Sequence, residues 1–337
     1  MLTFGKNRFS LKETIKWGIV GPGKIAHKFA ADLLLVHGAE LTAVASRNLE
    51  RAQAFAQTYG ATDAYGSYEE LFSEAQVDVV YIATPHTSHA QLSRAALQNG
   101  KAVLCEKPMG MNRSEVASVI EVAQASGKFF MEALWSRFNP NLKKVYALVA
   151  EGKLGKVSYL NADFAFYGLD FGATSRVLDP QLGGGSLLDI GIYPIFLSYM
   201  LFGKPDRLAA HSRMDERGTE IQTSMLFSGT DWHAVLYSGL NTKSRMEAEI
   251  QGDKGSIYID GRWHEARGFT LENGETSEKI VLEVQGNGYC DEIREVNQCL
   301  RHGQTQSALW SHQNSLDLSE LLDRVRAAAG IRFPFEG

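Results

Sequence analysis

The chain has 337 residues, more than one hydrophobic core usually supports, so its length predicts two domains. Hydrophobic residues make up 44% of the sequence, which is enough to fill packed cores. The formal net charge of -5 argues against a nucleic-acid partner or an anionic membrane surface, because both bind basic proteins. Composition and charge are those of an ordinary soluble protein.

Cysteine usage and the first residues bear on where the protein works. Cys105, Cys290 and Cys299 have neither the spacing of zinc ligands nor the even number of a disulfide framework. Residues 1–14 mix charged with isolated apolar residues, so we expect an extension there rather than a signal peptide. No run of the sequence approaches the length of a membrane span. A reducing, cytoplasmic location is therefore expected.

Residues 15–30 predict a buried strand, a tight turn and the start of a helix. Gly21 permits the sharp turn, Gly23 lets a pyrophosphate approach the backbone, and Ala26 is small enough for the helix to pack on the strand. The N–H groups of the helix N-terminus would bind that anion. A glycine turn chosen only for its geometry is the alternative, but the flanking strand and helix favour a dinucleotide site. The cofactor contacts expected here are Gly21, Gly23, Lys24 and Ile25.

The end of a second predicted strand, residues 40–46, indicates which nicotinamide cofactor binds. NAD enzymes commonly place a carboxylate there for the ribose 2′-hydroxyl, whereas arginine suits the 2′-phosphate of NADP. Here Arg47 follows Ser46, and the first acid is Glu50. Arg47 and Arg51 are four residues apart, so they share a face if a helix has already begun. NADP is predicted over NAD, and two solvated arginines are the alternative.

Short apolar strand patterns alternate with amphipathic helix patterns up to residue 136, which defines the first predicted domain. Later strands are predicted at residues 63–65, 77–84, 102–105 and 129–135, and helices at 49–59, 67–74, 88–98 and 114–126. Ser67 and Glu70 have the spacing of a capping box. The alternation predicts an α/β fold with a doubly wound parallel sheet of the Rossmann type and ligands at the carboxyl ends of its strands.

Polar residues stand at two of these predicted carboxyl ends. His86 and His89 follow the strand at 77–84 and could line the nicotinamide pocket or belong to a solvated loop. No third ligand of suitable spacing accompanies them, so no metal is predicted. Lys107 precedes a proline, which keeps its backbone extended toward the crevice, although an ordinary exposed lysine is the alternative. The cofactor contacts expected at the strand ends are Ser46, Arg47, Arg51, Thr84, Pro85, His86, His89, Glu106 and Lys107.

The pattern changes after residue 136, and residues 137–337 are predicted to form a second, substrate-binding α+β domain. Short alternating runs separated by polar or glycine turns recur between residues 206 and 284, after a first strand-like run at 156–167. They predict a large, mainly antiparallel open sheet, one face of which is available for a homodimer contact. Helices are predicted at 141–151, 186–202, 289–301 and 310–328.

Asp189 and Tyr193 lie in the predicted helix at 186–202, which follows three consecutive glycines. They are four residues apart, so both side chains can point at one ligand. Two alternatives remain open. Asp189 could be the N3 member of a helix cap that begins at Ser186, and Tyr193 could be an ordinary core residue.

Several segments have the sequences of known motifs. They are W-G-I-V-G-P-G-K-I-A, V-L-C-E-K-P, F-F-M-E-A-L-W-S-R-F-N-P, G-G-G-S-L-L-D-I-G-I-Y-P and Y-C-D-E-I-R-E-V-N-Q-C-L. Together they resemble the glucose-fructose oxidoreductase and inositol dehydrogenase (Gfo/Idh/MocA) family over nearly the whole chain. Within it, A-S-R-N-L-E-R-A, A-V-L-C-E-K-P-M-G-M-N and L-L-D-I-G-I-Y are most similar to dimeric dihydrodiol dehydrogenases and NADP-dependent D-xylose dehydrogenases.

The resemblance implies an enzyme that moves a hydride between a nicotinamide cofactor and a hydroxyl-bearing carbon of a sugar or cyclic trans-diol. It implies that Lys107, Asp189 and Tyr193 are catalytic, and that Asp189 and Tyr193 also bind substrate. Many relatives have histidine at the position of Tyr193, which places this chain in the subgroup whose acid or base is tyrosine. Trp135 and Arg137 match the substrate-side segment, although a structural cluster at a domain junction is the alternative.

In the expected mechanism the ammonium of Lys107 favours the tyrosinate form of Tyr193, and Asp189 orients a second hydroxyl. Two other functions compete with this interpretation. A non-catalytic NADP-binding sensor has no need of both Lys107 and Tyr193. A redox-assisted glycosidase would hold NAD tightly, and Arg47 argues against that cofactor.

Overall fold

The structure is a computed structural model that describes residues 13–172 and 175–336. It contains one sheet of six strands and one sheet of eight. The predicted N-terminal extension and the predicted lack of a signal peptide concern residues 1–14, of which 1–12 lie outside the described residues. Both stay predictions.

The first sheet consists of β1 (Ile15–Val20), β2 (Ala39–Ala45), β3 (Asp63–Tyr65), β4 (Val79–Ile82), β5 (Ala102–Glu106) and β6 (Phe130–Ala133). Its strands are all parallel and follow the spatial order β3-β2-β1-β4-β5-β6. Every residue of β4, β5 and β6 is buried, as expected for parallel strands covered on both faces. The predicted doubly wound sheet is confirmed, and its strand order reverses between β1 and β4.

Helices cover this sheet: α1 (Lys24–Leu33), α2 (Leu49–Tyr59), α3 (Tyr68–Glu74), α4 (His86–Gln98) and α5 (Arg113–Ser126). The core between α1 and the sheet is aromatic. Phe29 stacks on Tyr81 with ring centroids 3.7 Å apart and lies 5.5 Å from the ring of Trp17. All three side chains are fully buried, so the packing of these rings fixes α1 on β1 and β4.

One helix cap and several element boundaries in this domain differ from the predictions. The hydroxyl of Ser67 caps α3 by accepting from the backbone N–H of Glu70 at 3.2 Å, but the Glu70 carboxylate accepts from Gly66 rather than from Ser67. The reciprocal half of the predicted capping box is therefore wrong. The last strand is shorter than the predicted 129–135, because the chain turns after Ala133 into a 3₁₀ helix, Trp135–Phe138.

The second sheet consists of β7 (Val157–Ala165), β8 (Arg207–Met214), β9 (Glu220–Ser228), β10 (His233–Gly239), β11 (Ala248–Gly252), β12 (Ser256–Ile259), β13 (Phe269–Asn273) and β14 (Thr276–Ile280). Its spatial order is β14-β13-β12-β11-β7-β10-β9-β8. Every neighbouring pair is antiparallel except β7 with β10. The predicted large, mainly antiparallel open sheet is confirmed.

The two faces of this sheet differ in what covers them. Helix α7 (Ile192–Phe202) packs on one face against β7 and β10, and α6 (Pro140–Ala150) packs against α7. On the opposite face, strand register aligns Leu226, Val235 and Tyr258 in one row with polar residues between them. Their exposed fractions are 45%, 44% and 38%. We call these three side chains the apolar row: Leu226 and Val235 are neighbours in it, whereas Asn161 and Glu249 separate Val235 from Tyr258.

The closing helices, α8 (Cys290–Arg301) and α9 (His312–Ala329), return to the first domain. The indole N–H of Trp17 donates to Asn297 of α8 at 3.0 Å, and the backbone N–H of Arg113 donates to Asp323 of α9 at 2.9 Å. The C-terminal residues thus contribute to the packing of both predicted domains. The division at residue 136 stays a prediction.

The segment that contains Asp189 and Tyr193 does not begin as the regular helix predicted at 186–202. It opens with a π-turn, Leu187–Gly191, before α7 begins. The hydroxyl of Ser186 bonds Glu220 at 2.7 Å and Ser238 at 2.8 Å instead of capping the helix. The alternative in which the Ser186 side chain caps the helix with Asp189 at N3 is therefore wrong. The Glu220 carboxylate accepts from the Leu187 N–H at 2.7 Å.

The most apolar helical stretch of the described chain is Pro180–Phe202. By length and composition it could cross a membrane, with a hydropathy of 1.4, so the prediction that no run approaches such a length is wrong. Its most apolar window is 72% buried inside the protein. The core helix of a folded domain passes the same test of length and composition.

Candidate active site

The carboxyl ends of β1, β4 and β5 meet beside the N-terminus of α1. At the end of β1, Gly21 has φ +84°, a conformation that favours glycine. A Cβ atom there would lie 2.8 Å from Thr84 Cγ2, so the turn also lacks space for a side chain. Glycine is therefore required at position 21.

The N-terminus of α1 fits the pyrophosphate of a dinucleotide. Gly23 is its N-cap, and no side chain of the described residues caps its first N–H groups. A Cβ atom on Gly23 would meet nothing closer than the Gly21 carbonyl oxygen, 4.0 Å away. Lys24 and Ile25 form the first turn. Free N–H groups facing open space make a binding site for an anion.

The arginines that follow β2 do not lie as expected. Asn48 caps α2 by accepting from the backbone N–H of Arg51 at 3.0 Å, so Arg47 precedes the helix. The condition under which Arg47 and Arg51 would share a helix face, that the helix has begun at Arg47, is therefore not met. Arg51 instead reaches the glycine turn, where Nη2 donates to the Pro22 carbonyl at 3.4 Å. Arg47 is exposed, and Ser46 beside it is buried.

His86 and His89 are both buried, so the alternative of a solvated loop is wrong. The two ring nitrogens of His89 lie 2.7 Å from the Pro108 carbonyl and 2.8 Å from the Thr84 carbonyl. Burial lowers the pKa of His89 to about 4, so the neutral ring donates to one of the two oxygens. His89 thereby connects the turn after β4, which contains Pro85, to the segment after β5.

Lys107 follows β5 and brings its ammonium group to the second domain. Nζ donates to the main-chain carbonyl of Asp189 at 2.6 Å and lies 4.9 Å from the centroid of the Tyr193 ring. Burial lowers the pKa of Lys107, while the charges of Asp189 and Glu106 oppose that shift. The structure therefore brings together the three residues predicted to be catalytic.

Glu106 anchors the backbone beside Lys107. Its buried carboxylate accepts hydrogen bonds from the Tyr81 hydroxyl and from the Lys107 N–H. Burial raises the pKa of Glu106, and the charge of Lys107 opposes the shift. Because its described contacts are with Tyr81 and Lys107, Glu106 holds the strand end in place.

Asp189 presents its carboxylate from the π-turn before α7. Oδ1 accepts a hydrogen bond from Nη2 of Arg176 at 2.7 Å. Burial opposes ionisation of Asp189, but the charges of Arg176 and then Lys107 outweigh it and hold its pKa well below the usual range. Asp189 is therefore an ionised acceptor at neutral pH.

Tyr193 lies one helical turn further along and its hydroxyl accepts from the indole N–H of Trp135 at 2.8 Å. Burial, followed by the charge of Glu106, raises the pKa of Tyr193 well above its usual value. Tyr193 therefore keeps its proton at neutral pH. This differs from the expectation that Lys107 favours the tyrosinate, because burial and the charge of Glu106 raise the pKa of Tyr193.

The two residues predicted on the substrate side, Trp135 and Arg137, lie in different places in the structure. Trp135 contacts Tyr193, whereas Nε of Arg137 donates to the Leu309 carbonyl at 2.9 Å. The guanidinium of Arg137 also lies 5.6 Å from the centroid of the Tyr146 ring. These contacts hold Arg137 against the rest of the fold and do not bring it to Tyr193.

Four further residues at the site were missed in the sequence. Arg176 binds Asp189, and Tyr289 stacks on Trp135 with ring centroids 5.0 Å apart. Phe164 and His264 stack 4.0 Å apart beside Tyr193. Tyr289 begins the closing motif, so a signal for it existed. No motif marks the other three.

Within residues 13–172 and 175–336, no group of three or more histidine, cysteine, aspartate or glutamate side chains could hold a metal ion. The charged groups gathered at the site are Glu106, Lys107, Arg176 and Asp189.

A doubly wound domain with an open helix N-terminus, in a chain that gathers an acid, a lysine and a tyrosine beyond the end of β5, is typical of a nicotinamide-dependent oxidoreductase. Residues 15–134 match the model of the oxidoreductase family with an NAD-binding Rossmann fold, and residues 142–258 match the GFO/IDH/MocA C-terminal domain. The chain belongs to the GFO/IDH/MocA family. The predicted family and fold class are confirmed.

Named relatives agree with this assignment. The trans-1,2-dihydrobenzene-1,2-diol dehydrogenase of Mus musculus is 36% identical over 332 residues, which cover 95% of this chain and 98% of that one. The enzyme of the same name from Sus scrofa is 35% identical over 339 residues, with coverage of 95% and 98%. The chain is therefore an NAD(P)-dependent oxidoreductase.

Solved structures share the architecture. A 3-ketoreductase from Actinomadura kijaniata, in complex with NADP and TDP-benzene, is 27% identical with a TM-score of 0.85, covering 94% of this chain and 98% of that one. An aldose-aldose oxidoreductase from Caulobacter crescentus, complexed with glycerol, has a TM-score of 0.86 at 22% identity, covering 94% and 98%. The latter likeness concerns the fold alone.

Proposed function

We propose that this oxidoreductase uses NADP to move a hydride to or from the hydroxyl-bearing carbon of a sugar, such as a D-xylose-like pyranose, or of a cyclic trans-diol. The observation that carries the proposal is the convergence of Lys107, Asp189 and Tyr193 beyond the carboxyl end of β5, in a doubly wound domain whose α1 N-terminus is open. The names of the dihydrodiol dehydrogenases that the chain resembles support the substrate class.

When bound, the cofactor exchanges the hydride with the substrate carbon. The chain supplies the proton transfer at the oxygen of that carbon. Tyr193, held by Trp135, donates its proton when a carbonyl is reduced and accepts one when an alcohol is oxidised. The ammonium of Lys107 stabilises negative charge on the same oxygen, and ionised Asp189 accepts from a second hydroxyl.

The raised pKa of Tyr193 bears on the direction of the reaction. At neutral pH the protonated phenol is ready to donate, which favours reduction of a carbonyl. Oxidation requires Tyr193 to lose its proton first, so its rate increases with pH. The 3-ketoreductase among the related structures supports a role in reduction.

NADP is the proposed cofactor because two arginines follow β2 where NAD enzymes commonly place an acid. Arg51 donates to the Pro22 carbonyl of the glycine turn and Arg47 is exposed directly after β2, which supports a role for both arginines at the adenosine ribose. The related 3-ketoreductase was solved with NADP, which supports the choice.

A homodimer in the cytoplasm is proposed as the working form of the protein. The apolar row of Leu226, Val235 and Tyr258 on the open face of the second sheet is the proposed contact. Burying such residues between two copies would remove apolar surface from water. A monomeric mass by light scattering at micromolar protein concentration would contradict the dimer.

A substrate panel followed by NADPH absorbance tests the proposed activity. We expect turnover of D-xylose or trans-cyclohexane-1,2-diol with NADP, and weaker turnover with NAD. NADPH binding without turnover of any sugar, diol or corresponding ketone would instead identify a sensor. NAD that stays bound through purification would identify the redox-assisted glycosidase.

A further inference from the structure

Arg176 is a cation at the site that the proposed mechanism does not use. It opens a 3₁₀ turn, Arg176–Leu178, between β7 and α7. Its Nη2 lies 2.7 Å from Oδ1 of Asp189, and the side chains of the two residues are 34% and 14% exposed. Arg176 is thus the more accessible member of the pair.

Two glycines allow the backbone to bring Arg176 to this position. A Cβ atom on Gly184 would lie 2.6 Å from the Arg176 carbonyl oxygen, so the turn fits only because residue 184 is glycine. The N–H of Gly185 donates to the Val177 carbonyl at 2.9 Å. Two of the three consecutive glycines therefore bring the arginine turn against the segment that contains Asp189.

His86 fixes the other end of the guanidinium. Nη1 of Arg176 lies 3.2 Å from Nε2 of His86, and arginine can only donate, so Nε2 must be unprotonated. Nδ1 then carries the proton, 3.3 Å from the Gly183 carbonyl. Burial and then the charge of Arg176 lower the pKa of His86, which agrees with a neutral ring.

These two bonds use two of the five N–H groups of the guanidinium. A hydroxyl group needs both an acceptor for its proton and a donor for its oxygen. Asp189 supplies an acceptor, and Arg176 beside it supplies donors. We propose that Arg176 and Asp189 together bind the hydroxyl next to the reacting carbon, so that Arg176 determines the preference for diols and sugars over simple alcohols. The inference rests on the proposed function.

The test compares two substrates that differ by that hydroxyl. The values of kcat/KM for trans-cyclohexane-1,2-diol and for cyclohexanol are measured for the wild type, Arg176→Met and Arg176→Lys. We expect Arg176→Met to lower kcat/KM for the diol about 10- to 100-fold more than for cyclohexanol, because a charge-assisted hydrogen bond is lost. Arg176→Lys should recover part of the loss for the diol alone.

Arg217→Met is the matched control, since it breaks another pair between arginine and aspartate, with Asp215 in the turn between β8 and β9. It should leave both values unchanged, and the Kd of NADPH should be unchanged in all variants. Equal losses for the two substrates in Arg176→Met, or no loss, would overturn the inference and leave the proposed function intact. A wild type that oxidises neither of these substrates nor D-xylose would overturn the proposed function and this inference with it.

Discussion

In the proposed mechanism, Tyr193 and Lys107 contribute differently to the proton transfer. The hydroxyl of Tyr193 is held by Trp135, whereas Nζ of Lys107 lies over the ring and bonds the Asp189 carbonyl. Lys107 can therefore approach a substrate oxygen without being the proton donor itself. The hydrogen bonds of the two side chains are to Asp189 and Trp135 rather than to the first turn of α1, so loss of either should spare binding of the cofactor pyrophosphate there.

Tyr193→Phe and Lys107→Met should each lower kcat by roughly 10²–10⁴, the usual contribution of a positioned acid or base. NADPH titration should give the wild-type Kd for both. Tyr199→Phe is the control, because Tyr199 lies on the same helix and its hydroxyl bonds Asp317 away from the site. Near wild-type turnover in Tyr193→Phe would assign the proton to Lys107 or Asp189.

Trp135→Phe should move the pH profile of alcohol oxidation to higher pH. Burial raises the pKa of Tyr193, and the indole hydrogen bond is among the contacts that lower it. Removing that bond raises the pKa further, so the phenol loses its proton later in a titration. The measurement is kcat against pH for the diol. An unchanged profile would mean that ionisation of Tyr193 does not determine how kcat depends on pH.

Arg47→Ala should weaken binding of NADP by about 1.5–3 kcal/mol, the value of a hydrogen bond to a charged group. Binding of NAD should not change, because NAD has no 2′-phosphate. Isothermal titration with both cofactors measures the difference, and Arg94→Ala, whose guanidinium bonds Ser118 on the neighbouring helix, is the control. Equal losses for both cofactors would contradict the assignment to the phosphate.

At the level of elements, the sequence predicted what local patterns determine. Strands such as Val79–Ile82 and helices such as Arg113–Ser126 follow from apolar periodicity and from turn residues near them. The π-turn Leu187–Gly191 did not follow, because its first N–H is bound by Glu220, which is 33 residues away in the chain.

The same distinction applies to the site. The motifs identified Lys107, Asp189 and Tyr193, and the structure brings these residues together. Arg176 was not predicted, because its partners Asp189 and His86 come from other elements. No local pattern in the sequence links Arg176 to either residue. Contacts that depend on tertiary packing cannot be read from spacing along the chain.

Glu220→Ala should destabilise the fold through the start of α7. Its carboxylate accepts from the Leu187 N–H and from the hydroxyls of Ser186 and Thr223. An unpaired buried polar group costs about 1–3 kcal/mol, so the free energy of unfolding should fall by at least that amount. Urea unfolding measures it, with the exposed Glu278→Ala as the control. Equal stability of the two variants would contradict this account.

On the scale of the whole molecule, Glu292 is a buried acid of α8, the helix that returns to the first domain. Among the described residues neither of its carboxylate oxygens has a hydrogen-bond partner, and the side chain is fully buried. Burial, then the charges of Glu106 and Asp32, raises the pKa of Glu292 well above its usual value. The folded protein therefore holds it as a neutral acid, whereas the unfolded chain ionises it.

Glu292→Gln should make the protein more stable than the wild type at alkaline pH. The stability of the neutral form is fully present below the pKa of the unfolded carboxyl and is lost as pH rises toward the higher folded pKa. Glutamine cannot ionise, so the difference in Tm between variant and wild type should grow with pH. The measurement runs from about pH 4, near the ordinary pKa of glutamate, to about pH 9, well above it.

Glu283→Gln, at an exposed position, is the control for Glu292→Gln and should show no such trend. A gap in Tm that stays constant with pH would mean that Glu292 is not neutral in the folded protein.

The return of α8 to the first domain has a consequence for synthesis on the ribosome. Trp17 donates to Asn297, and the carboxylate of Asp32 accepts the backbone N–H groups of Asn287 and Tyr289 at 2.8 Å each. These partners emerge after almost all of the chain has been translated. The nucleotide-binding half therefore cannot reach its final packing ahead of the other half, and a nascent chain stalled before residue 287 exposes buried surface to chaperones.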